Sequence, residues 1–365
     1  MRVGILVYGD LDERSGGFLY DRRVVEHLRE RGDDVVVFSL PERGYLRSTA
    51  DNLDGSLPRR IRAADLDVLL QDELCHPSLA WLNRRLGVDA PVVAVVHHIR
   101  AAEARSVWRN ALVRRLERAY LRSVDAFVCN SETTRRAVST LVGGDAAGTT
   151  APSVVAYPAG DRFGTTVSAA RVRERARDGP LRVVCVGNVT RRKNLETLLA
   201  GLARIRRPWE LVVVGSLAVD AEYVAELRSA VDRLRLDGRV RFAGRLDDAA
   251  LAALYERSHL FAMPSTHEGF GIAYVEAMGF GLPVVASAAG GASELVADRT
   301  NGYLVDPADP TEVTDAVAPL CRNRKRLARM GVAALATYEA HPTWAETGAR
   351  VGSFLDSLAA GSDSA

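Results

Sequence analysis

Residues Pro264–Pro283, PSTHEGFGIAYVEAMGFGLP, decide the fold of this 365-residue chain. The apolar run Leu260–Met263 precedes this stretch and the run Val284–Ser287 follows it, and both are typical of strands buried on both faces of a parallel sheet. Between the runs, a glycine-rich loop leads into a helical pattern. Gly281 and Pro283 are residues of the kind that ends a helix. The stretch therefore predicts a strand, a loop, a helix and a second parallel strand.

The same alternation of short apolar runs and amphipathic segments extends over the whole chain. It predicts an α/β fold made of two doubly wound, Rossmann-like units, and the length of the chain fits two domains. The predicted strands are Val3–Val7, Val35–Phe38, Val68–Leu70, Val92–Val96, Ala126–Cys129, Arg182–Val186, Leu211–Val214, Val240–Phe242, Leu260–Met263 and Val284–Ser287.

Composition shifts predict where the domains begin and end. We expect a first domain over residues 1–160 and a second over residues 181–341. The segment 161–180 is polar, rich in arginine and without a strand pattern, so we interpret it as a linker. One interpretation of 342–358 is a helix that packs back on the first domain. The tail 359–365, AAGSDSA, is predicted to be disordered.

Composition also limits the classes of function. Hydrophobic residues make up 47% of the chain and charged residues 26%, as in globular proteins. The net charge of +2 gives no reason to expect a nucleic-acid partner. The four cysteines have no CxxC spacing, and neither a signal peptide nor an 18-residue apolar run is found. These features predict a cytoplasmic protein without a disulfide framework.

The loop and helix of the opening stretch carry chemistry suited to a sugar nucleotide. The backbone N–H groups at the helix start, on Gly269, Phe270 and Gly271, form a cradle of the kind that binds phosphate. Glu268 lies beside the expected position of a sugar attached to that phosphate. The carboxylate of Glu276, in the second helical turn, can accept two hydrogen bonds from a vicinal diol such as that of ribose.

Glu268 and Glu276, with seven residues between them, resemble the E-x7-E signature of the retaining glycosyltransferases of family 4 (glycosyl transferases group 1). The flanking residues are also similar, from PS-x-x-EGFG through EAM and GLPVVAS to GG-x-x-E at 290–294 and NGYLV at 301–305. The resemblance implies the GT-B fold, with two Rossmann-like domains facing an interdomain cleft. It also implies a nucleotide-diphosphate sugar as donor and transfer with retained configuration.

A second motif, VGNVTRRKNLETLL at 186–199, resembles the family's G-R-x4-K-[GN] pattern, whose Arg and Lys contact the donor diphosphate. Lys193 matches this pattern. Asn188 stands where Arg is usual, and it can donate a hydrogen bond but carries no charge. Arg191 or Arg192 is then the candidate for supplying the missing charge. The alternative for these two arginines is a solvated basic loop.

Two weaker motifs lie elsewhere in the chain. Phe242-Ala243-Gly244-Arg245 resembles the family's F-x-G-R turn near the nucleotide base, which makes Arg245 a candidate donor-binding residue. Asp65-Leu66-Asp67 has the D-x-D form that holds a metal in another glycosyltransferase fold. It precedes the strand Val68–Leu70 at its amino end, the wrong end for a ligand, so we interpret it as a turn and predict no metal site.

The first half of the chain supplies further candidates. The resemblance implies that a loop with Gly16 and Gly17 approaches the donor diphosphate; the alternative is a plain turn between strand and helix. The strand Val92–Val96 ends at His97 and His98, at the edge where open α/β sheets bind ligands. Adjacent residues of a strand point to opposite faces, so at most one histidine faces the site. The resemblance favours His97 as the contact to the transferred sugar.

The segment 105–123, RSVWRNALVRRLERAYLRS, predicts a basic helix with Trp108 and Tyr120. Such a helix can rest on an anionic membrane surface, which would make the acceptor a lipid or lipid-linked sugar and place the protein at the inner face of the membrane. The alternative is an ordinary domain helix with a solvated arginine face.

Together these features predict a metal-independent retaining glycosyltransferase of glycan biosynthesis. Its catalytic residues are His97, Glu268 and Lys193, and it needs no cofactor because the nucleotide sugar is a substrate. The acceptor, whether a glycan, a lipid-linked sugar or a small molecule, stays open, as does the oligomeric state. The alternatives are a nucleotide-sugar epimerase of the same fold and an inactive sugar-binding module. An NAD-dependent oxidoreductase is disfavoured because the GxGxxG fingerprint is missing.

Overall fold

A computed structural model describes residues 1–11, 16–102, 107–143, 151–164 and 167–362 of the chain. The chain divides into two compact units, one made of Met1–Pro158 with Trp344–Ala365 and the other of Ala159–Thr343. Each unit contains a parallel sheet of six strands. This agrees with the two predicted doubly wound units.

The sheet of the first unit has the strand order β2-β1-β3-β4-β5-β6. The chain runs from β1 outward to β2 and then returns to the other side of β1, so the order reverses between β1 and β3. The strands are β1 (Arg2–Tyr8), β2 (Asp34–Leu40), β3 (Val68–Asp72), β4 (Val92–Val96), β5 (Ala126–Cys129) and β6 (Ser153–Val155). The helices are α1 (Gly16–Glu30), α2 (Tyr45–Ser48), α3 (Ser56–Ala63), α4 (His76–Leu79), α5 (Val107–Leu121), α6 (Glu132–Val142) and α14 (Trp344–Ser362).

The sheet of the second unit has the strand order β12-β11-β10-β7-β8-β9. Its order reverses between β7 and β10, which are neighbours in space although two strands separate them in the chain. The strands are β7 (Leu181–Val186), β8 (Trp209–Val214), β9 (Val240–Gly244), β10 (Leu260–Met263), β11 (Val284–Ser287) and β12 (Gly302–Val305). The helices are α7 (Ala169–Arg175), α8 (Leu195–Ala203), α9 (Ala221–Arg233), α10 (Asp248–Arg257), α11 (Ile272–Gly279), α12 (Pro310–Arg322) and α13 (Arg324–Glu339).

These reversals determine where ligands bind in doubly wound sheets. Helices that cover opposite faces diverge at such a point, and a crevice opens outside the carboxyl ends of the strands. The loops after β1 and β3 border the crevice of the first unit, and those after β7 and β10 border that of the second. Gly16 and Gly17 follow β1, Lys193 follows β7 and Glu268 follows β10, whereas His97 follows β4, the neighbour of β3.

The two strands that the sequence did not predict, β6 and β12, both lie at sheet edges. β6 has three residues, all only partly buried, so it lacks the continuous apolar run of a central strand. β12 begins at Gly302, and the pair Asn301-Gly302 predicts a turn rather than a strand.

The segment predicted as a linker, 161–180, contains the helix α7. Its Val172 is buried, and the guanidinium of Arg175 donates to the carbonyl oxygens of Phe280 (2.8 Å) and Gly281 (3.1 Å). Arg175 thus satisfies carbonyl groups at the end of α11. A buried arginine in this role leaves no apolar pattern, which is why the sequence suggested a linker.

Helix α14 belongs to the first unit. The ring of Trp344 lies edge-on to that of Tyr20 with 5.9 Å between centroids, and Thr347 Oγ1 donates to the carbonyl oxygen of Tyr157 at 2.7 Å. The helix continues to Ser362, so residues 359–362 of the predicted disordered tail are helical. Residues 363–365 lie outside the described part of the chain.

Asp65 and Asp67 lie between α3 and β3, at the amino end of the sheet. Asp67 Oδ2 accepts a hydrogen bond of 2.6 Å from the backbone N–H of Arg2, and Asp65 has a φ of 49°. These features belong to the connection at the start of the strand. Among the described residues, no helix has the length and apolar character needed to cross a membrane.

Candidate functional site

Lys193 and Glu268 meet at the reversal of strand order in the second unit. Lys193 ends a short 3-10 turn after β7, and Glu268 follows β10, the neighbouring parallel strand. Lys193 Nζ donates to Glu268 Oε2 at 2.9 Å. Arg192 Nη1 donates to the same oxygen at 3.1 Å. The topology thus brings together three residues that the sequence proposed for the donor site.

The charges of this cluster do not cancel. Burial acts to raise the pKa of Glu268, but the charges of Lys193 and Arg192 outweigh it and hold that pKa well below its usual range. Burial lowers the pKa of Lys193, and the neighbouring Glu268 carboxylate opposes this effect. Two cations share one carboxylate, so the carboxyl edge of the sheet carries a net positive charge beside α11. Such a site favours an anion.

Glycines let the backbone approach this cluster. A Cβ on Gly290 would lie 2.1 Å from the carbonyl oxygen of Glu268, and one on Gly291 would lie 2.1 Å from that of Gly269. The Gly291 N–H donates to the Glu268 carbonyl at 2.9 Å. The GG-x-x-E segment therefore supports the loop that carries Glu268, a role that requires residues without side chains.

The loop 269–271 is fixed by its own side chains and by α11. Gly271 has a φ of 101°, and a Cβ there would lie 2.2 Å from the ring of Tyr274. Phe270 is buried, and its ring stacks on that of His341 with 5.6 Å between centroids. A glycine is thus required at position 271, because φ is positive there and because a side chain would clash with the ring of Tyr274. Whether Gly269, Phe270 and Gly271 bind phosphate stays a prediction.

Glu276 is paired with an arginine that the sequence analysis missed. Its side chain is buried in the second turn of α11, and Arg162 Nε lies 2.6 Å from Glu276 Oε1. The Tyr255 hydroxyl is 3.4 Å from Oε2. Burial raises the pKa of Glu276, and the charge of Arg162 opposes this effect. Arg162 lies in the segment predicted as a linker, and nothing in its local pattern indicated this contact.

The remaining candidates of the second unit are Asn188, Arg191 and Arg245. Asn188 Oδ1 accepts a hydrogen bond of 3.4 Å from the Ser216 N–H, which joins the loops after β7 and β8. Arg191 pairs with Glu226 at 2.8 Å on the surface, so Arg192 is the arginine that reaches Glu268. Arg245 is exposed after β9, which β8 separates from β7.

In the first unit the structure brings Gly17 and His97 together. Gly17 lies in the first turn of α1, which begins at Gly16, and His97 follows β4. A Cβ on Gly17 would lie 3.2 Å from His97 Cδ2. His97 is buried and its Nε2 lies 3.0 Å from Asp21 Oδ1, whereas His98 is half-buried. Asp12–Ser15, which precede Gly16, lie outside the described residues.

Two clusters in the first unit have the residue types of metal ligands, with candidate atoms within 4.8 Å of one another. In both, the histidine nitrogens already take part in hydrogen bonds. His97 Nε2 is bonded to Asp21, and the ring nitrogens of His76 lie 2.9 Å from the Glu73 carbonyl oxygen and 2.7 Å from the Tyr45 hydroxyl. We interpret both as hydrogen-bond networks, and the absence of a metal stays a prediction. The clusters are Asp21, Asp72 and His97, and Glu73, His76 and Glu117.

Comparison with known families agrees with this division into units. Residues 16–148 match the family described as Glycosyltransferase Family 4, and residues 167–336 match Glycosyl transferases group 1. The chain belongs to the family 4 glycosyltransferases. The second match contains Lys193, Glu268 and Glu276, and the first contains Gly17 and His97.

Several curated glycosyltransferases are similar in sequence. A GDP-mannose-dependent alpha-(1-6)-phosphatidylinositol monomannoside mannosyltransferase of Mycobacterium tuberculosis is 34% identical over 207 residues, 53% of each chain. The alignment thus spans about half the length of that relative. A phosphatidyl-myo-inositol mannosyltransferase of Mycobacterium leprae is 28% identical over 93% of each chain. A D-inositol 3-phosphate glycosyltransferase of Xylanimonas cellulosilytica is 33% identical over 44% of this chain and 38% of its own.

Solved structures show that this family 4 member has the GT-B fold. Sucrose-phosphate synthase from Thermosynechococcus elongatus superposes with a TM-score of 0.82 at 21% identity, covering 99% of both chains. HepE of Anabaena, crystallised with UDP and glucose, superposes with a TM-score of 0.76 at 21% identity, covering 98% of this chain and 100% of its own.

The pair of Arg162 and Glu276 makes a testable contribution to stability. We expect Arg162→Met to lower the free energy of unfolding by about 3–5 kcal/mol, because it leaves a buried carboxylate without its partner. The double variant Arg162→Met/Glu276→Gln should regain part of this loss. Urea denaturation measures both values.

A matched control is Arg171→Met, which removes an exposed arginine that pairs with Glu174 in the same unit. Such surface pairs contribute about 0–1 kcal/mol. Equal free energies of unfolding for Arg162→Met and Arg171→Met would contradict a stabilising role of the ion pair between Arg162 and Glu276.

Proposed function

We propose that this protein is a retaining glycosyltransferase that moves a hexose from a nucleotide-diphosphate sugar to an acceptor containing inositol. Mannose from GDP-mannose is the foremost donor. The net positive cluster of Lys193, Arg192 and Glu268 at the reversal of strand order carries the proposal, since it lies where a doubly wound sheet binds an anionic ligand. The names of the mannosyl- and inositol-specific relatives support the choice of substrates.

The second unit supplies the proposed donor-binding residues. Lys193 and the N–H groups of Gly269, Phe270 and Gly271 bind the diphosphate, with Asn188 and Arg192 beside them, and Glu276 binds the ribose diol. Arg245 lies near the base. For the first unit, the family resemblance implies that Gly16 and Gly17 contact the diphosphate and that His97 contacts the transferred sugar. The arrangement supplies positive charge where the leaving phosphate becomes more negative, the place where stabilisation lowers the barrier most.

In the proposed reaction, the bond between the anomeric carbon and the diphosphate oxygen breaks. The acceptor hydroxyl attacks the same face of the sugar, and its proton passes to the departing phosphate oxygen. Two cations hold the Glu268 carboxylate, which weakens it as a nucleophile and supports this route over a covalent sugar–enzyme intermediate. Glu268 instead orients the hydroxyl groups of the donor sugar. Lys193 supplies the charge that a metal supplies in other enzymes, so activity should persist in EDTA.

The direct test is release of the nucleoside diphosphate from GDP-mannose, and from UDP-glucose for comparison. We expect release to depend on D-inositol 3-phosphate or a phosphatidylinositol mannoside. Lys193→Ala should lower kcat by about 10²–10³-fold, as does removal of one charge-stabilising donor in other enzymes.

The control is Lys325→Ala, which removes the other lysine of the chain from an exposed position on α13. It should leave the rate unchanged. Equal rates for Lys193→Ala and Lys325→Ala would contradict the donor site. Consumption of the donor without any acceptor would favour an epimerase, and donor binding without turnover would favour a sugar-binding module.

A lipid acceptor requires contact with a membrane, and α5 offers a suitable surface. Its inner face is buried through Leu116 and Tyr120, whereas Trp108 is 64% and Leu112 38% exposed. The Arg109 guanidinium lies 5.1 Å from the Trp108 ring. Exposed tryptophan beside arginine is typical of helices that lie in an anionic interface. We propose that the protein is cytoplasmic and contacts the inner face of the membrane through this helix.

Co-sedimentation with vesicles tests this contact. We expect binding to phosphatidylglycerol vesicles, weak binding to phosphatidylcholine vesicles, and a loss of about tenfold in affinity for Trp108→Ala/Leu112→Ala, because apolar area leaves the interface. Val219→Ala removes an apolar residue that is 56% exposed in the second unit and serves as the control. Equal binding of both variants would contradict the role of α5.

A further inference from the structure

Asp21 is a buried carboxylate that faces His97 and that the sequence analysis did not single out. It lies four residues after Gly17 on α1, so both residues occupy one face of the helix. His97 Nε2 is 3.0 Å from Asp21 Oδ1, and only 1% of Asp21 is exposed. Gly17 and Asp21 therefore hold the His97 ring between them, one by leaving space and the other by a hydrogen bond.

We propose that Asp21 is a positioning residue that keeps His97 as an imidazolium, with Nε2–H directed at Asp21. The charged ring is then the form of His97 that interacts with the diphosphate sugar. The inference rests on the proposed function, which makes His97 a contact to the donor. It adds the charge state of that histidine and the residue that sets it. A cation is the form that stabilises negative charge on a departing diphosphate.

Acidic groups from two segments surround the ring. Asp72, at the end of β3, has its Oδ1 3.9 Å from His97 Nε2, and Glu73 follows it. Burial lowers the pKa of His97, but Asp21 and then Asp72 and Glu73 outweigh this effect and raise it to about 9. Burial and the charge of Asp21 raise the pKa of Asp72 to about 8. Asp21 Oδ1, at 3.0 Å, is the nearer acceptor for His97 Nε2, and Asp72 Oδ1 lies 3.9 Å away.

The backbone and the neighbouring rings fix the geometry of this pair. Asn130 Nδ2 donates to the carbonyl oxygen of His97 at 2.6 Å, and the Tyr20 ring lies edge-on with 5.3 Å between centroids. The next ionisable groups along the chain, His98 and Arg100, interact with Glu73. Hydrogen bonds therefore hold His97 both at Nε2 of its ring and at its backbone carbonyl group.

The sign of the pH dependence follows from the raised pKa. The ion pair stabilises the fold fully below the ordinary histidine pKa of about 6.5, and this stabilisation is lost as pH rises through about 9. The charged form of His97 is lost over the same pH range. Any catalysis that depends on this form should therefore also fall as pH rises through about 9.

A titration of the free protein tests the charge state without any substrate. In protein labelled with 15N-histidine, the resonance that disappears in His97→Gln belongs to His97. We expect it to titrate near pH 9 in the wild type and at about 6.5 or below in Asp21→Asn, which keeps the shape but removes the charge. Asp51→Asn, another buried carboxylate of the first unit, should leave it unchanged. A wild-type His97 that titrates near 6.5 overturns the inference, whether or not Asp21→Asn folds.

The pH profile of kcat/KM tests the consequence for the reaction. Asp21→Asn should move the basic limb from about pH 9 toward neutral pH and recover activity at pH 6, and Asp21→Glu should restore part of the wild-type profile. A uniform loss at every pH would indicate a structural role only and would overturn the inference. A wild type without transferase activity would contradict the proposed function alone, since the titration result does not depend on turnover.

Discussion

The ion pair between Lys193 and Glu268 is the interaction on which the candidate donor site depends. Both side chains lie at the carboxyl edge of one sheet, and burial of either charge alone would be costly. The pair can form only because β7 and β10 are neighbours and parallel. Arg192 adds a second cation, so the cluster stays positive after the pair has formed. The strand order thus determines the position of the site, and the two cations on one carboxylate determine its sign.

Each unit contains a buried pair of a cation and a carboxylate, and the two pairs differ in how they respond to pH. In each, a cation is held by a carboxylate beyond the carboxyl ends of the strands: Lys193 by Glu268 in the second unit, and His97, which follows β4, by Asp21 in the first. In each unit the carboxylate fixes the position of the cation and opposes the effect of burial on its pKa. The ordinary pKa of histidine, about 6.5, lies much closer to neutral pH than that of lysine, about 10.4. This difference explains why the first unit should be the pH-sensitive one.

The sequence predicted the elements whose pattern is local. Central strands appear as apolar runs, and the loop and helix after β10 appear in the glycines and in the E-x7-E spacing. Family resemblance singled out Lys193 and Gly17, which the structure brings to Glu268 and His97. Arg162 and Asp21 were missed because their partners lie 114 and 76 residues away, and no periodicity indicates such contacts. α7 was missed because Arg175 is buried by hydrogen bonds to carbonyl groups rather than by apolar packing.

A crystal structure with bound GDP or UDP is the most direct test of the central claim. The account predicts that diphosphate oxygens lie within hydrogen-bond distance of Lys193 Nζ and of the backbone N–H groups at 269–271, with the ribose diol on Glu276. A diphosphate bound elsewhere in the second unit, with the contact between Lys193 and Glu268 unchanged, would contradict it.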